Sequence, residues 1–418
     1  MRAPAHYRCQ RRDRCRICGG RNLDLYLDLG DQPPSNGFIE PAHVAQEQRF
    51  PLQVVLCRDC GLSQLRDVVS AEDIFDDYLY LSSKSNALLA HYATLVADAV
   101  ARFRPADGSL MVDVGCNDGV LLKGYPAGRF RLLGIEPSSA GDYARKAGFA
   151  VESAFFNLAA ARRLREFHGA AAVITATNVF AHVDDIVSFA RGIEALLADD
   201  GVYITEFPYL RDMIERSYFD TVYHEHLSYL ALTPLKRLFD DVGLRAFRVE
   251  RTEIGASGPA FRVFVGRVDA CYRLEESVTA MLADEQAWGI DDPSRYREFA
   301  GRVAELKSKI MSIVVGLNRR GHKVGAFSAP AKGNTLLNYV GLGPKHIVSV
   351  SENNELKIGR LTPGSHIPIV SDGEFLSSGV SHALLLSWNY LDFFLGNTEF
   401  IKRGGKFIVP LPEPRIVP

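Results

Sequence analysis

Residues 112–120, Val-Asp-Val-Gly-Cys-Asn-Asp-Gly-Val, constrain the fold of this chain more than any other stretch. An apolar run that ends in a turn with two glycines predicts a buried strand, a tight turn and then a helix beginning near Val120. Gly115 and Gly119 let the backbone approach a ligand closely, and the first turn of the helix would face that ligand. The stretch therefore predicts a nucleotide-type pocket at the carboxyl end of a parallel strand.

Strand-like and helix-like segments alternate after this turn. The strand candidates are residues 131–136, 171–178 and 202–208. An amphipathic helix is expected at 183–197, opened by Asp184 or Asp185. This succession predicts an α/β fold with a right-handed, mostly parallel sheet. Glu136 ends the second strand about 20 residues after the glycine turn, where a doubly wound fold places the carboxylate that binds ribose hydroxyls.

The spacing of the glycines narrows the choice of ligand. Dinucleotide-binding turns carry Gly-x-Gly-x-x-Gly, whereas here Asp113 precedes Gly115 and Gly119. The pattern Asp-x-Gly-x-x-x-Gly resembles motif I of the S-adenosylmethionine methyltransferases, in which the turn follows the methionine part of the cofactor. A nicotinamide cofactor and a degenerate site are the alternatives. The resemblance implies that the cofactor-binding residues are Asp113, Gly115, Asn117, Gly119, Glu136 and Asn178.

Length and charge set the class of protein. A chain of 418 residues predicts two or three domains, and its formal net charge of -2 gives no electrostatic reason to expect nucleic acid as a partner. The basic N-terminus is not followed by an apolar run, and no stretch of ~18 apolar residues could span a membrane. We therefore expect a cytoplasmic protein without a membrane partner, either monomeric or weakly homo-oligomeric.

Four of the seven cysteines form two Cys-x-x-Cys pairs, each followed directly by a glycine: Cys15 with Cys18, and Cys57 with Cys60. Such a turn aims both thiolates at one metal, and four thiolates suit a closed tetrahedral zinc site. Because no coordination position stays open, we expect a structural zinc that folds the N-terminal domain. Four reduced thiols in a small core, or a redox role, are the alternatives, and Cys9 is expected to be a bystander.

Residues 218–230 hold the densest group of ionisable side chains, centred on Tyr223, His224, Glu225 and His226. A histidine near neutral pKa with a carboxylate beside it is suited to act as a general base. A His₂Glu metal site is an alternative, although no third well-spaced ligand is evident. One histidine can equally be structural, because one segment cannot point all four side chains the same way. The local pattern leaves open whether His224 or His226 faces a substrate.

The C-terminal third of the chain predicts a second strand–turn–helix arrangement. Apolar residues spaced alternately three and four apart predict a long helix with one buried stripe at 296–317. A strand at 323–327 leads into 328–335, Ser-Ala-Pro-Ala-Lys-Gly-Asn-Thr, which opens a helix and offers Lys332 to an anion. Further strands are expected at 347–350, 383–386 and 407–409. Alternatively, Lys332 and Arg360 are solvated loop charges, and the second fold is a scaffold that binds nothing.

The order of several motifs resembles one family. These motifs are Cys-x-x-Cys-Gly twice, Val-Asp-Val-Gly-Cys-Asn-Asp-Gly, Asn-Val-Phe-Ala-His-Val-Asp-Asp, Tyr-His-Glu-His-Leu-Ser-Tyr and Ala-Pro-Ala-Lys-Gly-Asn-Thr. Over nearly the whole chain they resemble the deoxysugar C-methyltransferases, which methylate C-3 of a nucleotide-linked 4-keto sugar. The resemblance implies a small zinc-binding domain at 1–75 and a central Rossmann-like S-adenosylmethionine domain at 76–285. It also implies a linker helix and a C-terminal Rossmann-like domain at 286–418 that helps to hold the sugar nucleotide.

The resemblance also implies roles for single residues. The general base that forms an enolate falls on His226, and Tyr223, Glu225 and His182 match positions that line the sugar site around the chemistry. The nucleotide is expected to be dTDP or another nucleoside diphosphate. The substrate-binding residues would be Tyr78, Tyr80, His224, Arg262, Lys332, Asn334 and Arg360. From pattern alone, Tyr78 and Tyr80 could equally be tyrosines tucked into a core.

One stretch departs from the family. Its members generally carry His-Gly-Gly-Ser-x-Arg before a strand, whereas residues 257–262 read Ser-Gly-Pro-Ala-Phe-Arg, so that only Gly258 and Arg262 survive. The sugar contacts made there are expected to differ, and with them the substrate or the methylated position.

Two other functions would each require a sequence feature that can be checked directly. A sugar-nucleotide epimerase or oxidoreductase would need Gly-x-Gly-x-x-Gly after the strand at 323–327, and none is present. A degenerate, non-catalytic zinc-ribbon binding protein would have lost the set Asp113, Gly115, Glu136 and His226, and all four are present. A C-methyltransferase remains the leading prediction.

Overall fold

The computed structural model of the chain describes residues 6–75, 81–84, 86–252 and 259–418. Tyr78 and Tyr80, predicted to bind substrate, and Gly258 of the altered stretch lie outside the described residues. Within the described part of the chain, none of the helices has both the length and the apolar character needed to cross a membrane.

The N-terminal unit is a small antiparallel sheet that carries the cysteine pairs. Its elements are β1 (Cys9–Arg11), β2 (Leu23–Gln32), β3 (Phe50–Cys57), β4 (Ser63–Leu65), β5 (Asp67–Val69) and the short helix α1 (Ala71–Phe75). Strand β3 lies between β2 and β4, and β1 pairs with β5. Leu52, Val54 and Leu56 of β3 are fully buried, as expected for the inward face of a strand with a side-chain period of two.

The central unit is a doubly wound sheet. Its strands are β6 (Leu110–Val114), β7 (Arg131–Ile135), β8 (Ala150–Glu152), β9 (Ala171–Thr177), β10 (Leu197–Phe207), β12 (Leu244–Thr252) and β13 (Ala260–Arg267). The two-residue strand β11 (Ser228–Tyr229) comes from this part of the chain but pairs with the N-terminal sheet. Its helices are α2 (Asn86–Phe103), α3 (Gly141–Lys146), α4 (Leu158–His168), α5 (Ile186–Leu196), α6 (Leu210–Glu215), α7 (Leu232–Asp241) and α8 (Glu276–Trp288). Among the described residues, the strand order is β12-β13-β10-β9-β6-β7-β8.

The central strand β6 is buried on both faces, as parallel strands under helices are. Val112 and Val114 belong to one apolar core, and Met111 belongs to another on the opposite face. Strands β6 to β10 run parallel, whereas β13 runs antiparallel to both β10 and β12. The chain runs outward from β6 through β7 to β8 and then returns to β9 on the other side of β6, so the crevice between β6 and β9 is the expected ligand position.

Two local predictions need correction. The helix expected from Val120 is only one 3₁₀ turn, Leu122–Gly124. Pro126 explains the early stop, because a proline disfavours helical backbone at the residue before it. The helix expected at 183–197 is α5, which is shorter; of the two caps predicted, Asp185 is confirmed, because it accepts a bond of 3.0 Å from the Ser188 amide.

The C-terminal unit is a second, smaller Rossmann-like sheet. Its strands are β14 (Val324–Phe327), β15 (Val350–Ser351), β16 (Ile369–Val370), β17 (His382–Leu385), β18 (Lys406–Val409) and β19 (Arg415–Val417). Its helices are α9 (Pro293–Arg319), α10 (Ala331–Val340), α11 (Asp372–Ser377), α12 (Leu391–Asn397) and α13 (Glu399–Lys402). In the described chain the strands lie in the order β16-β15-β14-β17-β18-β19, of which only β19 is antiparallel to its neighbour. The three units confirm the predicted α/β fold class.

Residues 221–229 lie where the three units meet. Strand β11 leaves the central unit and pairs with β4 of the N-terminal sheet. The Leu65 amide donates to the Leu227 carbonyl at 2.9 Å. From the C-terminal unit, the Thr335 hydroxyl donates to the Val222 carbonyl at 3.0 Å. The segment predicted to hold the general base is thereby held from both sides.

Candidate active site

The glycine turn after β6 is built from backbone that only certain residues tolerate. Gly115, Asn117 and Gly119 have φ of 70°, 50° and 79°, in the left-handed region where side chains with a Cβ are strained. A Cβ on Gly115 would also lie 2.3 Å from the Val179 side chain, so glycine is required there. The turn leads the backbone closely past the carboxyl end of β6.

Glu136 lies beside this turn, at the end of β7. Its Oε2 accepts from the Asn117 amide at 2.9 Å, and its Oε1 accepts from the amide and hydroxyl of Ser138 at 2.9 and 2.7 Å. Each carboxylate oxygen has two lone pairs, so Oε2 keeps one for a ligand. The carboxylate and the glycine turn are thus brought together as the sequence predicts for a ribose-binding pair.

Asp113 lies within β6, and Asn178 follows the neighbouring strand β9. The Asp113 carboxyl is buried in β6, where it accepts a 2.6 Å bond from the Thr175 hydroxyl and burial raises its pKa to about 7. Asn178 follows β9 with φ of 56°, and among the described residues its amide nitrogen Nδ2 has no hydrogen-bond partner. An unpartnered buried donor beside the turn fits a bound cofactor with hydrogen-bond acceptors. The residues present therefore fit S-adenosylmethionine.

A buried carboxylate that sequence reasoning missed lies next to Asn178. Glu206 is the second-last residue of β10, and its backbone carbonyl accepts the Asn178 amide at 2.7 Å. Its side chain is fully buried between the His91 ring nitrogen Nε2, at 2.7 Å, and the Arg262 guanidinium, at 2.9 Å. A glutamate at the carboxyl end of a strand was the signal available in the sequence.

The Arg262 guanidinium is committed to carboxylates of the protein. Besides Glu206 it contacts Glu250 at 3.5 Å, and its side chain is only 7% exposed. The substrate contact predicted for Arg262 stays a prediction, and these partners favour a structural role instead.

His226 is held in one tautomer. Its Nδ1 lies 2.7 Å from the Thr221 carbonyl, and since a carbonyl can only accept, Nδ1 must carry the proton. The lone pair is therefore on Nε2, which lies 2.7 Å from the Tyr223 hydroxyl. Burial lowers the pKa of His226 to about 4, whereas the sequence predicts a pKa near neutral, so the imidazole is neutral near pH 7 and is a weaker base than a free histidine. The geometry provides a positioned, unprotonated nitrogen.

The neighbouring groups divide between two sides of the segment. The His182 ring lies 4.8 Å from the His226 ring, and burial together with His226 lowers the pKa of His182 well below its ordinary value. His224 instead packs edge-on against Phe50 of the N-terminal unit at 6.1 Å. The two histidines of the motif thus have different neighbours, which removes the basis for a shared His₂Glu metal site. Of the two, His226 is favoured as the residue that takes part in the reaction.

Glu225 faces the N-terminal unit. Its Oε1 accepts from the Asn36 side chain at 3.0 Å, and its Oε2 has no hydrogen-bond partner among the described residues. Burial raises the pKa of Glu225 to about 7, so that part of the population carries a proton near neutral pH. Such a carboxyl can donate a hydrogen bond as well as accept one.

The C-terminal unit brings buried polar groups to the same junction. Lys332 lies in the first turn of α10, with its Nζ bonded to the Asn389 side chain and 4.2 Å from the centre of the Trp388 ring. The Trp388 indole donates to Asp220 at 2.6 Å. Burial lowers the pKa of Lys332 to about 8, and the negative charge of Asp220 opposes this shift. Lys332 is therefore buried, which excludes for this residue the alternative of a solvated loop charge.

Two further residues that the sequence assigns to substrate binding lie at domain contacts. The Asn334 side chain donates from Nδ2 to the Ser35 carbonyl at 2.7 Å, and its Oδ1 is without a partner among the described residues. Arg360 is half-buried and donates to the Phe38 carbonyl at 3.3 Å. Both side chains link the C-terminal unit to the N-terminal unit.

The four cysteines converge at one end of the N-terminal sheet. The sulfur atoms of Cys15, Cys18, Cys57 and Cys60 lie within 4.8 Å of one another. The Cys15–Cys60 and Cys18–Cys57 separations are both 3.5 Å. Zn–S bonds of about 2.3 Å in a tetrahedron place sulfur atoms about 3.8 Å apart, so the set fits a four-coordinate zinc ion. All four ligand positions are filled by protein, and the metal is structural.

Family models match along the chain. One described as a zinc-binding domain matches residues 15–75, one described as a methyltransferase domain matches 88–249, and one described as a C-methyltransferase C-terminal domain matches 256–412. The chain is 35% identical over 408 residues to the C-methyltransferase NovU of Streptomyces niveus. The aligned region covers 97% of each chain.

Two solved methyltransferase structures show a weak similarity to part of this chain. The magnesium protoporphyrin IX methyltransferase of Synechocystis PCC 6803 with bound S-adenosylmethionine is 16% identical, with a TM-score of 0.33 over 47% of this chain and 88% of its own. The CurJ carbon methyltransferase is 11% identical, with a TM-score of 0.33 over 44% of this chain and 57% of its own. Both scores are low, and the assignment rests instead on the family models and on the relative that covers the whole chain. The chain belongs to the S-adenosylmethionine-dependent C-methyltransferases that carry a zinc-binding N-terminal domain and a C-methyltransferase C-terminal domain.

Proposed function

We propose that this C-methyltransferase acts on a nucleotide-linked 4-keto deoxysugar and methylates a carbon next to the ketone, C-3, with His226 as the base. One observation carries the proposal: His226 presents an unprotonated Nε2, fixed by the Thr221 carbonyl, at the junction of the three units. The similarity to NovU supports carbon, rather than oxygen or nitrogen, as the methyl acceptor.

The chemistry explains why a base is needed. A carbon bound to hydrogen is not a nucleophile until its proton is removed, and a neighbouring ketone makes removal feasible because the charge moves onto oxygen. His226 Nε2 takes this proton while Nδ1–H stays bonded to Thr221, so the imidazolium that forms remains hydrogen-bonded. A ring that is neutral near pH 7 is ready to accept the proton without prior deprotonation.

One donor contacts the proposed base, and a second lies on the same segment. The Tyr223 hydroxyl, which contacts Nε2 at 2.7 Å, can turn to the enolate oxygen once a substrate enters between them. Glu225, partly protonated because burial raises its pKa to about 7, is a second O–H donor on the same segment. We assign both residues to hydrogen bonding of the sugar oxygens, with His182 beside His226 as a wall of the site.

The unpartnered atoms at the junction support a polar substrate. Among the described residues, Glu225 Oε2, Asn334 Oδ1 and Asp220 Oδ1 are buried acceptors without a hydrogen-bond partner. Leaving such an atom unsatisfied costs about 1–3 kcal/mol, and sugar hydroxyls would satisfy it. Lys332 supplies a positive charge near these atoms, which suits the diphosphate of a sugar nucleotide.

The cofactor half of the site is assigned to the pocket after β6. Gly115, Gly119, Glu136 and Asn178 are proposed to hold S-adenosylmethionine, and Asp113 supports them from within the sheet. The bound cofactor supplies the electrophilic methyl group on its sulfonium. The protein's part is to orient that group towards the deprotonated carbon and to exclude water.

The direct test is methyl transfer to a panel of nucleotide-linked 4-keto deoxysugars, using S-adenosylmethionine labelled with ¹³C in its methyl group. The expected product has the labelled methyl on a carbon that neighbours the ketone, identified by carbon–carbon coupling in NMR. Binding of S-adenosylmethionine without transfer to any member of the panel would contradict the proposed substrate class.

A further inference from the structure

A buried arginine lies inside the first cysteine pair. Arg16 stands between Cys15 and Cys18, and its side chain is completely buried. A buried guanidinium is costly unless its donors are paired. Its partners therefore show which parts of the protein the cysteine cluster is tied to.

The first partner is the segment that carries His182. The Arg16 Nε donates to Asp184 Oδ1 at 3.1 Å, and Arg12 reaches the other oxygen of the same carboxylate. Asp184 is two residues from His182, whose ring lies 4.8 Å from that of His226. Because Asp185, not Asp184, caps the following helix, the Asp184 carboxylate is left to pair with arginine.

The second partner leads to His226. The Arg16 Nη1 donates to the Leu65 carbonyl at 2.7 Å and to the Gln64 side chain at 3.2 Å. The amide of the same Leu65 donates to the carbonyl of Leu227, the residue after His226, at 2.9 Å. One buried cation is thus linked to both histidine-bearing segments, to the His182 segment directly through Asp184 and to the His226 segment through Leu65 of β4, the neighbour of β11.

We propose that Arg16 is a positioning residue that couples the zinc knuckle to the His182–His226 pair. Closing the knuckle around zinc fixes the backbone on both sides of Arg16, and Arg16 then fixes the spacing of the two histidine segments. The zinc-binding domain accordingly does more than fold itself, because its metal sets the geometry of the histidines. This inference rests on the proposed function only where it takes His182 and His226 to be residues of the active site.

The test uses the zinc-loaded full chain labelled with ¹³Cε1 histidine, with the His182 and His226 signals assigned by single histidine substitutions. Arg16→Gln should keep one zinc per chain by elemental analysis, yet shift or broaden the His182 and His226 signals. The signals of distant histidines such as His346 should stay in place. Arg21→Gln is the matched control, since Arg21 is 64% exposed and pairs only loosely with Asp13 at 3.6 Å. The control should leave all signals unchanged.

Wild-type His182 and His226 signals in Arg16→Gln would overturn the proposal. If Arg16→Gln loses zinc or fails to fold, Asp184→Asn decides by the same measurement, because it removes the carboxylate end of the link and leaves the cysteine segments intact. Altered histidine signals in Asp184→Asn support the coupling, and unaltered ones contradict it. The measurement reports the surroundings of the histidines, not turnover, so a wrong substrate assignment leaves its outcome unaffected.

Discussion

Replacing Arg262 with methionine should destabilise the central unit rather than weaken substrate binding. The Arg262 side chain is 7% exposed, and its guanidinium bonds to the fully buried carboxylate of Glu206 at 2.9 and 3.0 Å. Removing one partner of a buried ion pair typically costs about 3–5 kcal/mol, because the other charge is left without compensation. His91 remains on Glu206 at 2.7 Å, which places the expected loss near the lower end, about 3 kcal/mol.

Calorimetry of the ligand-free protein measures this loss. For a unit of this size, each kcal/mol shifts the Tm by about 2–4 °C, so Arg262→Met should lower the Tm by roughly 6–12 °C. Arg102→Gln is the control, since Arg102 is 42% exposed and lies 3.9 Å from Glu250. Such exposed pairs contribute about 0.2–1 kcal/mol, and the control should melt nearly as the wild type does.

The double variant Glu206→Met, Arg262→Met tests whether the loss of stability comes from the uncompensated charge of Glu206. Because it leaves no uncompensated buried charge at this position, its Tm should recover part of the loss seen in Arg262→Met. The account is refuted if Arg262→Met melts like the Arg102→Gln control and instead raises the KM for the sugar nucleotide, since Arg262 would then bind substrate.

Three further predictions follow from the site. Cys57→Ser should release zinc and unfold the N-terminal unit, because four thiolates hold the metal and metal binding is coupled to folding. Elemental analysis would measure the zinc content and circular dichroism the loss of structure. Retained zinc would contradict this prediction. Burial raises the pKa of Glu225 from 4.5 to about 7, so the folded chain binds more protons than the unfolded one between these values and loses stability as pH rises through them. Glu225→Gln removes this effect, and its Tm relative to wild type should rise from about pH 5 to about pH 7; a flat difference would contradict the shift. Tyr223→Phe should lower kcat by about 10²-fold with little change in the Kd for S-adenosylmethionine, as loss of an enolate donor does, and an unchanged kcat would exclude that role.

Local patterns were sufficient for features that local chemistry determines. Three features were predictable: the cysteine pairs, the glycine turn and the buried stripe of α9. Each depends on residues close together in the sequence, as a metal ligand set, a left-handed backbone or a helical period. Ile313 is the one member of the predicted stripe that is only half-buried. The helix expected from Val120 is absent because Pro126, six residues on, keeps Tyr125 in extended backbone and so ends the turn.

The partners of buried charges could not be predicted, because they come from distant parts of the chain. Glu206 is 115 residues from His91 and 56 from Arg262, and Arg16 is 168 from Asp184. Two-residue strands such as β11 carry no period that a sequence pattern could reveal. Likewise, the choice between His224 and His226 depends on which ring meets Phe50 and which meets Tyr223, a matter of tertiary packing.

Proton exchange tests the central claim most directly. A nucleotide-linked 4-keto deoxysugar is incubated with the enzyme in deuterium oxide, with S-adenosylhomocysteine replacing the methyl donor, and NMR follows the proton on the carbon next to the ketone. His226→Asn keeps an amide that can reach the Thr221 carbonyl but lacks the basic Nε2, and His43→Gln serves as a histidine control outside the site. We predict exchange in the wild type and in the control and none in His226→Asn. Exchange at the wild-type rate in His226→Asn would show that another group is the base.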